Sequence, residues 1–186
     1  IEVIATLRAV QEIHTKNGMD SIERYVTSNT DSIASILEVL WLVHIVNNDS
    51  PEDKALKLEI VPLFETIDDL VNADQIMETL YNLPLYCENL KAWNQQQTIM
   101  LGFSDGTKDG GYLMANWSIF QAKKRLSKLS AKYEIGVVFF DGRGGPPSRG
   151  GGETYAFYQS LAEEIEDNQI QLTVQGQSIP VSFGTS

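Results

Sequence analysis

The sequence is poor in the residues that build disulfides and zinc sites. It has one cysteine, Cys87, and two histidines, His14 and His44, among 186 residues. One cysteine cannot form an internal disulfide, and these three side chains make a Cys/His zinc site a poor expectation. The shortage of cysteine therefore predicts a reducing compartment, for which we take the cytoplasm.

Long apolar runs and net positive charge are also missing. No run approaches the roughly 20 apolar residues of a membrane-spanning helix, so we expect no membrane segment. The net charge is −11, which argues against a general affinity for nucleic acid. The first 100 residues hold 6 basic and 16 acidic side chains, and the remainder hold 8 and 9. Positive charge is therefore concentrated in the second half.

The two ends of the chain look cut. The sequence begins at Ile1 with a helical pattern already under way, and it stops at Gly-Thr-Ser after a strand-like segment. We therefore expect residues 1–186 to form a single interior fragment of a larger protein.

Helical and strand-like patterns alternate along the chain. Apolar residues at helical spacing predict helices, and short apolar or β-branched runs predict strands. The predicted helices are 1–17, 31–47, 67–82, 112–133 and 154–166, and the predicted strands are 22–28, 58–64, 97–103, 135–140 and 169–176. This alternation predicts an α/β fold, a partial TIM-like (β/α) barrel with parallel strands between helices. The site should then lie at the carboxyl ends of the strands.

A glycine-rich segment follows the predicted strand at 135–140. Residues 141–152 read Asp-Gly-Arg-Gly-Gly-Pro-Pro-Ser-Arg-Gly-Gly-Gly, with Arg143 and Arg149 as the only cations. Glycine allows close backbone approach, and arginine matches carboxylate or phosphate with a planar fork. A flexible surface loop is the plainer interpretation, but the paired arginines favour an anion site.

Carboxylates follow two other predicted strands. Glu65 and Asp105 each come directly after an apolar run, which suits a hard-oxygen site for Mg²⁺ or Mn²⁺, although each could merely cap a helix. Lys108, in the predicted loop 104–111, could hold an anion or be a solvated lysine. We expect the basic residues of the helix at 112–133 to form a solvated face. These residues are Lys123, Lys124, Arg125, Lys128 and Lys132.

Several segments together resemble phosphoenolpyruvate carboxylase. They are Leu-Phe-Glu-Thr at 63–66 with Asp-Asp-Leu at 68–70, Gly-Phe-Ser-Asp-Gly-Thr-Lys-Asp-Gly-Gly at 102–111, and Gly-Arg-Gly-Gly at 142–145 with Arg-Gly-Gly-Gly at 149–152. Two further segments, 25–32 and 173–176, also look like that family's and come in the same order. The resemblance runs from about residue 20 to residue 180, and that family is far longer than 186 residues.

The resemblance implies an anaplerotic carboxylation. Bicarbonate attacks the phosphate of phosphoenolpyruvate, giving carboxyphosphate and the enolate of pyruvate. Carboxyphosphate yields CO₂ and phosphate, and the enolate captures CO₂ to form oxaloacetate. Mg²⁺ or Mn²⁺ stabilises the enolate oxygen.

Roles for individual residues follow from the same resemblance. Glu65 and Asp105 match the family's metal ligands, and Lys108 matches a lysine linked to bicarbonate. Arg143 and Arg149 match the essential arginines of the glycine loop. Arg149 also matches the arginine that the inhibitors aspartate and malate pull away. The full-length enzyme is expected to be a homotetramer.

One position departs from the family pattern. The familiar loop reads Phe-His-Gly-Arg-Gly-Gly, and here Asp141 replaces the histidine associated with substrate binding. Asp141 is retained as a candidate catalytic residue, although a carboxylate cannot donate as imidazole does. The substitution motivates one alternative, a non-catalytic anion-binding or regulatory module; another is a different metal-dependent barrel enzyme acting on a phosphorylated acid. Because the family's other essential histidine and further arginines lie elsewhere, we expect the isolated fragment to be inactive.

Overall fold

The computed structural model describes residues 2–51, 54–142, 165 and 169–173. The helices are α1 (Glu2–Asn17), α2 (Ile33–Asn48), α3 (Ile67–Tyr81), α4 (Pro84–Ala92) and α5 (Ser104–Lys132), with a 3₁₀ turn at Met19–Ser21. The strands are β1 (Arg24–Thr27), β2 (Glu59–Phe64), β3 (Gln96–Leu101), β4 (Gly136–Asp141) and β5 (Ile170–Leu172). Among these residues, no helix is both long enough and apolar enough to cross a membrane.

The strands described here form one parallel sheet in the order β1-β2-β3-β4-β5. Each strand therefore pairs with the next strand along the chain, and helices make the crossovers from β1 to β4. A doubly wound sheet reverses its strand order at a switch point, whereas a barrel adds strands sequentially. The predicted α/β class and parallel strands are confirmed, and the strand order is consistent with part of a barrel.

The sheet is strongly curled. In a flat sheet, strands about 4.8 Å apart would place β1 and β5 about 19 Å from each other. With the Gln171 amide oxygen turned toward the guanidinium, that oxygen of β5 instead lies 3.1 Å from Nη1 and 3.2 Å from Nη2 of Arg24 on β1. Side chains from the first and last strands therefore meet across the concave face, as they do when a sheet closes toward a barrel.

The main core lies between the sheet and the helices. Alternate strand residues face the helices and are buried there; they are Ile60 and Phe64 of β2, Ile99 and Leu101 of β3, and Val137 and Phe139 of β4. The helix layer is tied together by polar contacts between α3 and α5. Arg125 Nε donates to Asp74 Oδ1 at 3.0 Å, and the hydroxyls of Tyr81 and Ser130 lie 3.1 Å apart.

Three elements differ from the predicted pattern. Helix α4 was not predicted; it is short and begins with Pro84 at its first turn, which suits a helix start. Residues 104–111, predicted as a loop, are largely helical and form the start of α5. The helix is interrupted at Gly111, whose φ is 80°. Strand β5 covers Ile170–Leu172, and residues 174–176 of the predicted strand at 169–176 lie outside the described residues. The predicted helix at 154–166 lies outside the described residues, apart from residue 165.

A buried tyrosine joins α4 to the start of β3. The Tyr86 hydroxyl donates to Gln97 Oε1 at 2.5 Å, and the Gln97 amide donates to the carbonyls of Ile60 at 3.2 Å and Thr98 at 2.7 Å. Burial raises the pKa of Tyr86 well above its ordinary value, with smaller contributions from Tyr81 and Glu59. Folding therefore depends on a neutral phenol at this position.

We predict that this tyrosine makes the protein sensitive to alkali. The unfolded chain loses the phenolic proton near pH 10, before the folded chain does, so stability should fall as the pH rises above about 10. Tyr86→Phe should cost about 1–3 kcal/mol at neutral pH, because Gln97 Oε1 loses its donor, and should flatten the alkaline decline. Apparent unfolding temperatures of the whole protein at several pH values test this, with the exposed Tyr112→Phe as control. An unchanged alkaline slope in Tyr86→Phe would contradict the prediction.

Candidate functional site at the carboxyl ends of the strands

Glu65 follows the end of β2 and is held from two directions. Its Oε2 accepts the backbone N–H of Asn29 at 3.1 Å, across from the end of β1. Asn29 has a φ of 49°, a left-handed conformation that asparagine tolerates better than most residues. The Glu65 N–H donates to Asp69 Oδ2 at 3.3 Å, beside the capping box that Thr66 and Asp69 form at the start of α3. One carboxylate oxygen and the backbone of Glu65 are therefore each held by a neighbouring segment of the chain.

The end of β3 comes unusually close to Glu65. The Gly102 N–H donates to the Phe64 carbonyl at 2.8 Å. A Cβ atom at Gly102 would lie 2.9 Å from the Glu65 Cα and 3.3 Å from its Cγ. Only glycine allows this approach without displacement of the backbone. The ends of β2 and β3 are thus pressed together where the sequence places its two candidate metal ligands.

Asp105 lies in the first turn of α5, just beyond Gly102. Its Oδ1 accepts from Lys108 Nζ at 2.5 Å, one helical turn away. The Asp105 side chain is 48% exposed and that of Lys108 73% exposed, so the pair opens to solvent. Gly106 follows directly, and a Cβ there would lie 3.8 Å from the Glu65 carbonyl oxygen. The structure therefore brings Glu65, Asp105 and Lys108 to one region of the sheet edge.

The donor chemistry of this region suits a hard divalent cation. Glu65 and Asp105 offer carboxylate oxygens at neighbouring strand ends, which is the ligand type that Mg²⁺ and Mn²⁺ take. Within the described residues, no group of three or more His, Cys, Asp or Glu side chains is arranged to hold a metal ion. Two carboxylates are enough only if waters or a substrate complete the shell, as is common for Mg²⁺.

Asp141, the last residue of β4, is buried rather than open to the site. Its Oδ2 lies 2.7 Å from Lys123 Nζ of α5, and both side chains are almost fully inaccessible to solvent. The candidate catalytic role of Asp141 stays a prediction. The other two candidates, Arg143 and Arg149, lie outside the described residues.

The predicted solvated face of α5 is wrong for two of its five basic residues. Lys123 is buried and paired with Asp141. Arg125 is partly buried against α3, where its Nη2 donates to the Leu70 carbonyl at 2.8 Å. Lys124 and Lys128 are exposed as predicted, and Lys132 pairs with Glu78 near the surface.

Sequence patterns did not indicate that Asn29 and Gly102 lie against Glu65, or that Lys123 is buried against Asp141. For Lys123, a signal was present. Buried residues of α5 recur at helical spacing, and Lys123 follows Ala122 and comes four residues after Ile119 at the border of that stripe. A cation at the border of a buried stripe calls for an acidic partner.

Comparison with known proteins gives the same family as the sequence motifs. The family model described as phosphoenolpyruvate carboxylase matches residues 1–186. The chain belongs to the phosphoenolpyruvate carboxylase family. Among curated relatives, the phosphoenolpyruvate carboxylase of Azoarcus sp. (strain BH72) is 38% identical over 181 residues, which cover 97% of this chain and 20% of the relative. The phosphoenolpyruvate carboxylase of Synechococcus sp. (strain ATCC 27144 / PCC 6301 / SAUG 1402/1) is 36% identical over 183 residues, covering 98% of this chain and 17% of the relative.

The chain thus spans about a fifth of the length of the curated phosphoenolpyruvate carboxylases that it matches. The family resemblance stated from the motifs is confirmed. The curated relatives are named as carboxylases, so the family is a family of enzymes. Activity of this chain is a separate matter.

We predict that Gly102→Ala disturbs this part of the phosphoenolpyruvate carboxylase fold. The added methyl group would force the Glu65 backbone away, and such overpacking costs about 1–3 kcal/mol. Gly136→Ala is the matched control, because a Cβ there would meet its nearest atoms at 3.8 Å, an ordinary contact. Apparent unfolding temperatures of the two variants of the whole protein give the measurement. Equal values would show that the end of β3 adjusts freely.

Proposed function

We propose that the whole protein to which this chain belongs converts phosphoenolpyruvate and bicarbonate to oxaloacetate and phosphate in the cytoplasm, with Mg²⁺ or Mn²⁺. Family membership supports the reaction class. The observation that carries the proposal is the close approach of β2 and β3, with Gly102 against Glu65 and Asp105 three residues further on. It brings two carboxylates to neighbouring strand ends, where barrel enzymes hold their reactive groups.

Glu65 and Asp105 are the proposed metal ligands. The Asn29 N–H binds Glu65 Oε2, and Lys108 binds Asp105 Oδ1. Each bond uses one carboxylate oxygen, and the other oxygen is the proposed ligand of the metal ion. When bound, a divalent cation would supply Lewis-acid charge to a developing enolate oxygen. The orienting bonds would limit how far either carboxylate turns during turnover.

Lys108, Arg143 and Arg149 are the proposed anion-binding residues. Lys108 carries a point charge beside Asp105, and its exposed side chain is proposed to bind bicarbonate. Arg143 is proposed to face the substrate phosphate, because it follows β4 by two residues. Arg149 lies beyond Pro146 and Pro147 and is proposed to meet aspartate or malate when they inhibit.

The isolated 186-residue chain is proposed to be inactive and the whole protein to be a homotetramer. The chain spans about a fifth of its relatives, so other groups of the active centre would come from the rest of the protein. The competing proposal is a non-catalytic module that binds the same anions without turnover. Carboxylation by the unaltered whole protein separates the two, because the competing proposal requires anion binding with no oxaloacetate formed.

We predict that Asp105→Asn greatly weakens metal activation. Loss of one ligand charge should lower kcat/KM by about a hundredfold or more and raise the Mg²⁺ or Mn²⁺ concentration needed for half-maximal rate. Oxaloacetate formation by the whole protein across a metal titration gives the measurement. Asp68→Asn is the control, because Asp68 is an exposed acid of α3. The same metal dependence in Asp105→Asn and in the unaltered protein would remove Asp105 from the site.

We predict that the two loop arginines fail differently when replaced by lysine. Loss of the planar fork in Arg143→Lys or Arg149→Lys should cost about 3–4 kcal/mol of transition-state stabilisation, on the order of a hundredfold or more in rate. Only Arg149→Lys should also lose inhibition by aspartate. Kinetics of the whole protein with and without aspartate test both points. Near-native turnover in both variants would make the loop a structural glycine turn, whereas inhibition retained in Arg149→Lys would overturn only the inhibitor assignment.

A further inference from the structure

The pair formed by Lys123 and Asp141 is the most deeply buried ion pair among the described residues. The side chains are 2% and 4% exposed, and Nζ lies 2.7 Å from Oδ2. Lys123 Nζ also lies 5.3 Å from the centre of the Phe139 ring, a cation–π distance. Lysine and aspartate are rarely buried unless they are paired. Each residue therefore supplies the other with an opposite charge at this buried place.

The direction of the Asp141 side chain follows from its strand. Successive residues of a strand point to opposite faces, so Phe139 and Asp141 share one face and Phe140 has the other. Lys123 contacts both Phe139 and Asp141 from α5. The Asp141 carboxylate thus points into the helix layer, away from the concave face of the sheet.

The backbone around Asp141 is held by both neighbouring strands. The Gly142 N–H donates to the Leu101 carbonyl at 2.9 Å, and the Thr173 N–H donates to the Asp141 carbonyl at 3.1 Å. The bond to Lys123 adds a third attachment, from the helix layer. Asp141 is therefore fixed to β3, β5 and α5 two residues before Arg143.

We propose that Lys123 is a positioning residue and that its pair with Asp141 takes the place of the histidine in the family's loop motif. Asp141 does not touch substrate; it fixes the end of β4 so that the following arginine is presented correctly. The proposal rests on the proposed carboxylase function and goes beyond it, because it gives the departure from the motif a compensating partner elsewhere in the chain.

The proposal makes the two residues interdependent. Lys123→Met leaves a buried carboxylate without its lysine, and Asp141→Leu leaves a buried ammonium without its aspartate. The double variant Lys123→Met/Asp141→Leu has neither charge and places apolar groups beside Phe139, a replacement that buried ion pairs often tolerate. The double variant should therefore fold well and keep the end of β4 closer to its place than either single variant.

The experiment measures turnover of phosphoenolpyruvate and bicarbonate by the whole protein with Mg²⁺. Lys123→Met, Asp141→Leu and the double variant are compared with Lys128→Met, a control at an exposed lysine of the same helix. All are assayed below the unfolding temperature of the least stable one, with circular dichroism confirming the fold. We expect kcat to fall about a hundredfold in each single variant, since small misplacements of catalytic groups cost that much. The double variant should recover at least about tenfold over either single variant.

Two results would overturn the proposal while leaving the carboxylase function intact. A double variant no more active than Asp141→Leu would mean that the carboxylate itself serves the reaction. Single variants with native kcat and only lower unfolding temperatures would mean that the pair is merely structural. Inactivity of the unaltered protein would be a different failure, since it overturns the proposed function and the positioning role together.

Discussion

The register of the parallel sheet is the constraint on which the candidate site depends, and an ion pair on the concave face helps to hold its strands together. Glu59 is 6% exposed; its Oε2 accepts from Arg24 Nε at 2.7 Å and its Oε1 accepts from the Thr98 N–H at 2.7 Å. One carboxylate thus links β1, β2 and β3, and Arg24 extends the link to Gln171 of β5. Because the strands are parallel, their carboxyl ends lie at one edge of the sheet, and the register that sets Leu63 opposite Met100 and Phe64 opposite Leu101 brings Gly102 against Glu65.

The fold could be predicted from the sequence wherever one periodicity dominated. Strands β2 and β4 are continuous apolar runs, which is typical of parallel strands covered on both faces, and each was placed within one residue of its bounds. The glycines of segment 104–111 favour a loop, yet the segment is largely helical and lies so close to its neighbours that a Cβ at Gly110 would clash with Ile67. Tertiary contacts override local propensity there, and no short-range pattern reports them.

The site could be predicted only as far as strand ends determine it. Glu65 and Asp105 were identifiable because each follows an apolar run, and parallel topology then brings such residues to one edge. The partner of Asp141 was not identifiable in this way. Lys123 lies 18 residues earlier on a helix, and its burial depends on which face of α5 meets which face of β4. A pattern of single residues along the chain does not carry that relation between two elements.

The pairing of Lys123 with Asp141 changes how the missing histidine is interpreted. Taken by itself, the aspartate in the loop motif removes the hydrogen-bond donor that a histidine would provide. That loss would favour the alternative of a non-catalytic module. A buried lysine faces that aspartate from the helix layer, so the negative charge has an oppositely charged partner there. Burying two charges is costly, and their mutual attraction offsets that cost only while both are present. With the end of β4 held by this pair, as proposed, the aspartate in the motif does not by itself favour the non-catalytic alternative.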